Sequence, residues 1–269
     1  MMLFQRITQK HQKLIIVCNA RTGSNHLINL LNSHPNIKTF GEIFNLEKPR
    51  RVLKNPLKLL KETINKRYPS KFKVVSIKIL YSQLTLEDFV LDNNMKEFPF
   101  FYRRYQLARE LLSKTNKNKV NKRMQKVLNY LEKNKEIKII HLKRRNLLET
   151  YLSLKLAMIK DEWVYRENSN DLKIKVDFED CLKNFEKIKY YEKKYDDLFK
   201  NHKRIDIFYE DLIERQEITL KKIQRFLELP ENNLKSKLKK QGKKPSESIL
   251  NYKLLKTKFN GTPWEEFFE

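Results

Sequence analysis

Glycine is nearly missing from this chain: it holds 4 in 269 residues, beside 8 prolines and 2 cysteines. So few breakers, none gathered into a Gly/Ser- or Pro-rich tract, leave no compositional linker between domains. No repeat of solenoid or propeller period is present. A single domain over 1–269 is therefore expected, long enough for one full core. Cys18 and Cys181 form no CxxC pair; one lies in an apolar run and the other in a helical stripe. Buried free thiols are expected there, not a disulfide. No apolar stretch has the length of a signal peptide or a membrane span, so a soluble, cytoplasmic protein is expected. Without GxxxxGK[ST] the chain has no nucleoside-triphosphate P-loop, and without GxGxxG it has no dinucleotide turn. Carboxylates and histidines show no metal-ligand spacing, so no metal is expected.

Basic charge, by contrast, is abundant. Lys and Arg number 58 against 33 Asp and Glu, a formal +25. Such a surface suits a polyanion or a phosphorylated small molecule, and basic aromatic runs such as FFYRRY leave a nucleic-acid binder open. A Lys-rich solvated surface accounts for much of the same excess, and no nucleic-acid fold motif is present, so no stable nucleic-acid partner is expected.

Short Ile/Val-rich runs at Lys13–Ala20, Ile37–Phe40, Lys73–Leu80, Ile137–Leu142 and Arg204–Tyr209 read as strands. Helical spacing lies between them, as in Leu27, Leu30 and Leu31, or Phe178, Leu182, Phe185 and Ile188. Strands alternating with helices predict an α/β fold with an open parallel sheet in three layers. Residues 84–135 read as two or three basic helices, a helical insertion with aromatics Phe98, Phe100, Phe101, Tyr102 and Tyr105.

The first strand runs into Arg21-Thr22-Gly23-Ser24-Asn25 and then a helix. Strand, short Gly turn and helix make an anion site, because helix amides and dipole face the ligand. On spacing alone it is equally an ordinary turn capped by Thr22 or Ser24. The pattern basic-[ST]-G-[ST]-[ST] resembles the 5′-phosphosulfate loop of sulfotransferases that use 3′-phosphoadenosine-5′-phosphosulfate (PAPS). Arg21 stands where the phenol and steroid enzymes carry Lys, as in the carbohydrate and tyrosylprotein branches, and Asn25 departs from the usual Ser or Thr. The resemblance implies PAPS as donor and a P-loop-like contact through Arg21, Thr22, Gly23, Ser24, Asn25 and His26.

The run IIHLKRRNLLETYLSLKLA repeats the strand–loop–helix theme, with Asn146 and Glu149 at capping-box spacing. Arg145 and Ser153 stand eight residues apart, and the resemblance implies that such a pair holds the donor's 3′-phosphate. The wording is most similar to bacterial nodulation-factor and glycolipid enzymes, which implies a carbohydrate or glycolipid acceptor. Arg144 stands beside Arg145 as a further candidate for that phosphate.

Glu42, in FGEIF, follows the second strand, where carboxyl ends gather ligands, and a carboxylate there suits a general base. It matches the Glu base of the carbohydrate and tyrosylprotein branches. The phenol enzymes use His, and SIKILYSQL offers Lys78 and no His. Tyr209, in IDIFYEDL, is similar to a strand-end Tyr near the nucleotide. Lys243 and Lys244 read as two surface lysines among many. A P-loop-related phosphotransferase is the rival enzyme; it lacks the Lys-[ST] after glycine and the metal carboxylates.

Overall fold

The computed structural model describes residues 11–84, 103, 105–162, 172–236 and 244–268. Five strands form one sheet in the order β2-β3-β1-β4-β5: β1 Gln12–Cys18, β2 Ile37–Glu42, β3 Val74–Leu80, β4 Lys138–Lys143 and β5 Arg204–Phe208. Each pair is parallel. β1 is buried over six of its seven residues and lies at the centre, as a continuous apolar run with both faces covered must.

Helix α1 (Ser24–Asn32) follows β1, and α2 (Pro49–Lys54) and α3 (Pro56–Ile64) follow β2. The β3–β4 crossover carries α4 (Gln106–Ser113) and α5 (Lys117–Lys133). Helices α6 (Leu147–Lys160) and α7 (Phe178–Leu198) come before β5, with α8 (Tyr209–Glu214), α9 (Gln216–Phe226), α10 (Pro245–Ser248) and α11 (Tyr252–Phe259) after it. Alternation along β1 divides the core. Leu14, Ile16 and Cys18 pack with Leu27, Leu30 and Leu31 of α1 and Ile223 of α9. Ile15 and Val17 face the layer holding Leu60, Met124, Val127 and Tyr195. A third cluster joins α6 and α7 to the chain's last helix through Tyr151, Phe185 and Phe259.

α5 differs from the expected insertion in one respect. Its Val120, Met124, Val127, Leu128 and Leu131 are buried against the sheet, so it is a covering layer of the core. Tyr105 joins that core; Phe98, Phe100, Phe101 and Tyr102 lie outside the described residues. Cys18 and Cys181 are both buried and free. Among the described residues no helix is long and apolar enough to cross a membrane.

Candidate active site

The strand order reverses at β1, with β3 on one side and β4 on the other, and the turn after β1 opens at the sheet's carboxyl edge. Two residues of this turn are left-handed, Gly23 at φ +75° and, against the preference of a side-chain-bearing residue, Arg21 at φ +66°. Thr22 does not cap α1: its hydroxyl donates to the Asn19 carbonyl at 2.9 Å. Gly23 is the cap residue, with no side-chain cap at all, so the ordinary capped turn is not what forms. The start of α1 is left as the kind of amide cradle that receives an anion.

Gly23 is required twice. Beyond its φ, a Cβ there would lie 2.2 Å from Cδ2 of Tyr209. Tyr209 opens α8 directly after β5, and its ring is covered on another side by the Arg144 guanidinium at 4.6 Å. Arg144, 8% exposed, donates through Nη1 to the Arg21 carbonyl at 3.1 Å and pairs with Glu149. Its Nε is buried without a partner. Arg21 in turn donates from Nε to the Ser153 hydroxyl of α6 at 3.0 Å. Burial, then the neighbouring Arg144, lowers the Arg21 pKa to about 10, so it stays charged at neutral pH. Strain of this kind persists only where surroundings over-determine it, and here Arg144 and Ser153 hold Arg21 from both ends.

Glu42 reaches this turn through Lys78. β2 and β3 pair as Thr39 with Ser76 and then Glu42 with Lys78, three residues on one strand against two on the other. The extra residue is a β-bulge at Phe40–Gly41, a device that re-aims a side chain beside a site. Without it Gly41 would oppose Lys78. With it, Glu42 Oε1 meets Lys78 Nζ at 2.7 Å. Lys78, 3% exposed, also donates to Asn25 Oδ1 at 2.7 Å and Ser24 Oγ at 3.3 Å. The ammonium's three donors are thus divided between the carboxylate and the first turn of α1.

Of the residues read from the sequence, the structure brings together Arg21, Thr22, Gly23, Ser24, Asn25, Ser153 and Tyr209, and joins Glu42 to them. His26 turns to Gln216 of α9, 3.3 Å away. Arg145 does not join the cluster: half-exposed, it forks onto Asp211 at 3.1 and 2.9 Å and stacks on Phe208 at 4.3 Å. Arg144 is the arginine that turns inward. The capping box forms in half. Asn146 accepts from the Glu149 amide at 2.9 Å, while Glu149 pairs with Arg144. Lys244 is exposed, and Lys243 lies outside the described residues. Lys78 was legible as a signal, since a lysine inside a run buried over all seven residues needs a charged partner.

A family model described as the sulfotransferase family matches residues 13–233, a span that includes every residue of this site. The chain belongs to the sulfotransferase family. No curated protein matches it.

The sulfotransferase holds a second polar cluster on the opposite face of the sheet. Tyr81 donates to His141 Nε2, and His141 Nδ1 donates to Asp196 Oδ1 at 2.9 Å. The Asp196 contact fixes which ring nitrogen carries the proton. His141, Asp196 and Asp206 bring ligand atoms within 4.8 Å of one another, a grouping with no signature in the sequence. Lys143 Nζ bonds both carboxylates, at 2.9 Å to Asp196 and 2.8 Å to Asp206, and so supplies their counter-charge from within.

Proposed function

We propose that this sulfotransferase moves a sulfuryl group from PAPS to a hydroxyl of a carbohydrate or glycoconjugate. The observation that carries the reading is Lys78, one ammonium shared between Glu42 and the phosphate-binding turn. It sets a candidate base beside an anion site.

The residues fit the donor. Arg21, Lys78 and Arg144 surround an uncapped helix start, and the buried Nε of Arg144 has an unused proton. When bound, PAPS supplies the sulfuryl group and a phosphate leaving group. Arg21, Thr22, Ser24 and the first amides of α1 hold the 5′ end, with Asn25, His26 and Tyr209 completing that wall. Ser153 and Arg145 hold the 3′-phosphate. For this Arg145 must leave Asp211, an exposed pair of the kind worth only about 0–1 kcal/mol, so a phosphate monoester can take its place.

Glu42 receives the acceptor's proton as its oxygen gains a bond to sulfur. Lys78 and Arg21 would meet the negative charge that collects on the departing phosphate, and so stabilise the transition state more than the ground state. No step in this reading calls on a metal. The glycan class of acceptor rests on the resemblance of the RRNLLETYLSLKLA segment to nodulation-factor and glycolipid enzymes.

The test is thermal stabilisation by 3′-phosphoadenosine-5′-phosphate (PAP) beside AMP and ATP, without divalent metal. A ligand at a hundred times its Kd adds about 2.7 kcal/mol. A shift with PAP and not AMP supports the donor site. No shift with PAP, and one with ATP or RNA, overturns it in favour of a phosphotransferase or a nucleic-acid binder.

A further inference from the structure

The carboxylate of Glu42 has two oxygens, and different groups address them. Oε1 meets Lys78. Oε2 accepts from Nε2 of Gln83 at 2.7 Å. Gln83 lies in the short 3-10 turn Tyr81–Leu84 that follows β3, and its own Oε1 accepts from the Leu80 amide at 3.1 Å. The two contacts fix the amide's orientation, since exchanging its O and N would set donor against donor and acceptor against acceptor. The turn is itself anchored, because Tyr81 and Leu84 on either side are 1% and 2% exposed. Gln83 therefore stands on the backbone end of β3 and holds a carboxylate that stands on the end of β2.

We propose that Gln83 is the positioning residue for the base. It rests on the reading of Glu42 given above and goes beyond it. Lys78 alone does not set the carboxylate's plane. Its ammonium is a compact point charge on a flexible stem, already divided with Asn25 and Ser24. A second bond to the other oxygen fixes the plane, and keeps it fixed when an anion at the turn draws on Lys78. With Oε2 held by Gln83, Oε1 is the oxygen that takes a proton once Lys78 turns to the anion. A base misplaced by about 1 Å loses roughly 10²-fold, so a contact of this kind affects turnover while leaving donor binding alone.

The experiment measures PAP release from PAPS, with glucose and with water offered as hydroxyl, for wild type, Gln83→Met, Gln83→Glu, Glu42→Gln and the double variant Glu42→Gln/Gln83→Met. In this assay the attacking oxygen bonds sulfur, the bridging S–O bond breaks, PAP leaves, and the proton passes to Glu42. Methionine keeps the length and removes the donor; glutamate keeps the shape and sets a carboxylate against Glu42. Both are expected to slow release about 10-fold, the scale of one hydrogen bond to a charged group, with PAP-induced stabilisation unchanged. In the Glu42→Gln background Gln83→Met is expected to cost nothing more, since there is no base left to position. Wild-type release in Gln83→Met overturns the proposal. So does a loss that adds in full to that of Glu42→Gln, which marks a structural role. Full activity of Glu42→Gln would instead remove the base, and this inference with it, while PAP stabilisation reports the donor site separately.

Discussion

Glu42 and Lys78 face each other across β2 and β3 because β2 carries one residue more than β3 between Thr39 and that pair. The bulge turns a carboxylate at the edge of the sheet toward the turn after β1, where Lys78 joins it to Ser24 and Asn25.

Glu42→Gln keeps the shape and the contact to Lys78 but cannot take a proton, and its amide nitrogen faces the Gln83 amide donor to donor. PAP stabilisation is expected to persist and turnover of PAPS to fall by about 10²-fold or more. A steady-state assay beside a melting curve checks both, and near-normal turnover removes Glu42 from the role.

Gly23→Ala combines a left-handed φ with a clash against Tyr209. The backbone term is about 1–2 kcal/mol and overpacking about 1–3 kcal/mol, so a clear drop in Tm and loss of PAP stabilisation are expected. Tyr209→Ala removes a buried ring and so costs stability of its own, but it also relieves the clash, so the double variant is expected to lose less than the two single losses summed. Melting wild type, both single variants and the double variant side by side tests this.

The two adjacent arginines are expected to separate by ligand. Arg145→Ala, at an exposed site, weakens PAP far more than a ligand lacking the 3′-phosphate. Arg144→Ala weakens both, because it removes the group that holds the Arg21 carbonyl. Calorimetric titration with PAP and AMP decides it. Equal weakening by Arg145→Ala refutes its place at the 3′-phosphate.

Acid should destabilise the fold through His141. Burial, outweighing the pull of Asp196, holds its pKa below the ordinary value. Below about pH 6.5 the unfolded chain therefore binds a proton that the folded one refuses, and stability falls as pH falls. Asp196 adds to this further down: burial opposes its charged form, but hydrogen bonds from His141 and Lys143 outweigh it and keep the carboxyl low. His141→Gln is expected to flatten the slope between pH 5 and 6.5 in denaturant titrations; an unchanged slope means another group carries it.

Much of this architecture was legible because its strands are short, apolar and rich in Ile and Val, a pattern that a buried parallel sheet requires. The turn after β1 was legible too, from the order of its residue types. The distinction between Arg144 and Arg145 was not. Both follow the same strand, and the direction in which the chain leaves β4 decides which one turns inward. The bulge in β2 was equally hidden, since a period of two read through Ile37–Phe40 stops before the extra residue appears. Gln83 left no mark, because a glutamine in a turn has the same spelling whether it faces water or Glu42.

The central strand has a consequence for synthesis. β1 is made early, but its neighbour β4 begins at Lys138, and Tyr209 comes later still. A nascent chain that has reached only β3 carries Arg21, Glu42 and Lys78 with nothing beside β1 on its β4 side, an open edge that invites wrong pairing. The cluster around the turn after β1 assembles only when Arg144, Ser153 and Tyr209 have left the ribosome, so the strand that centres the sheet ties this cluster to a chain made at least through Tyr209.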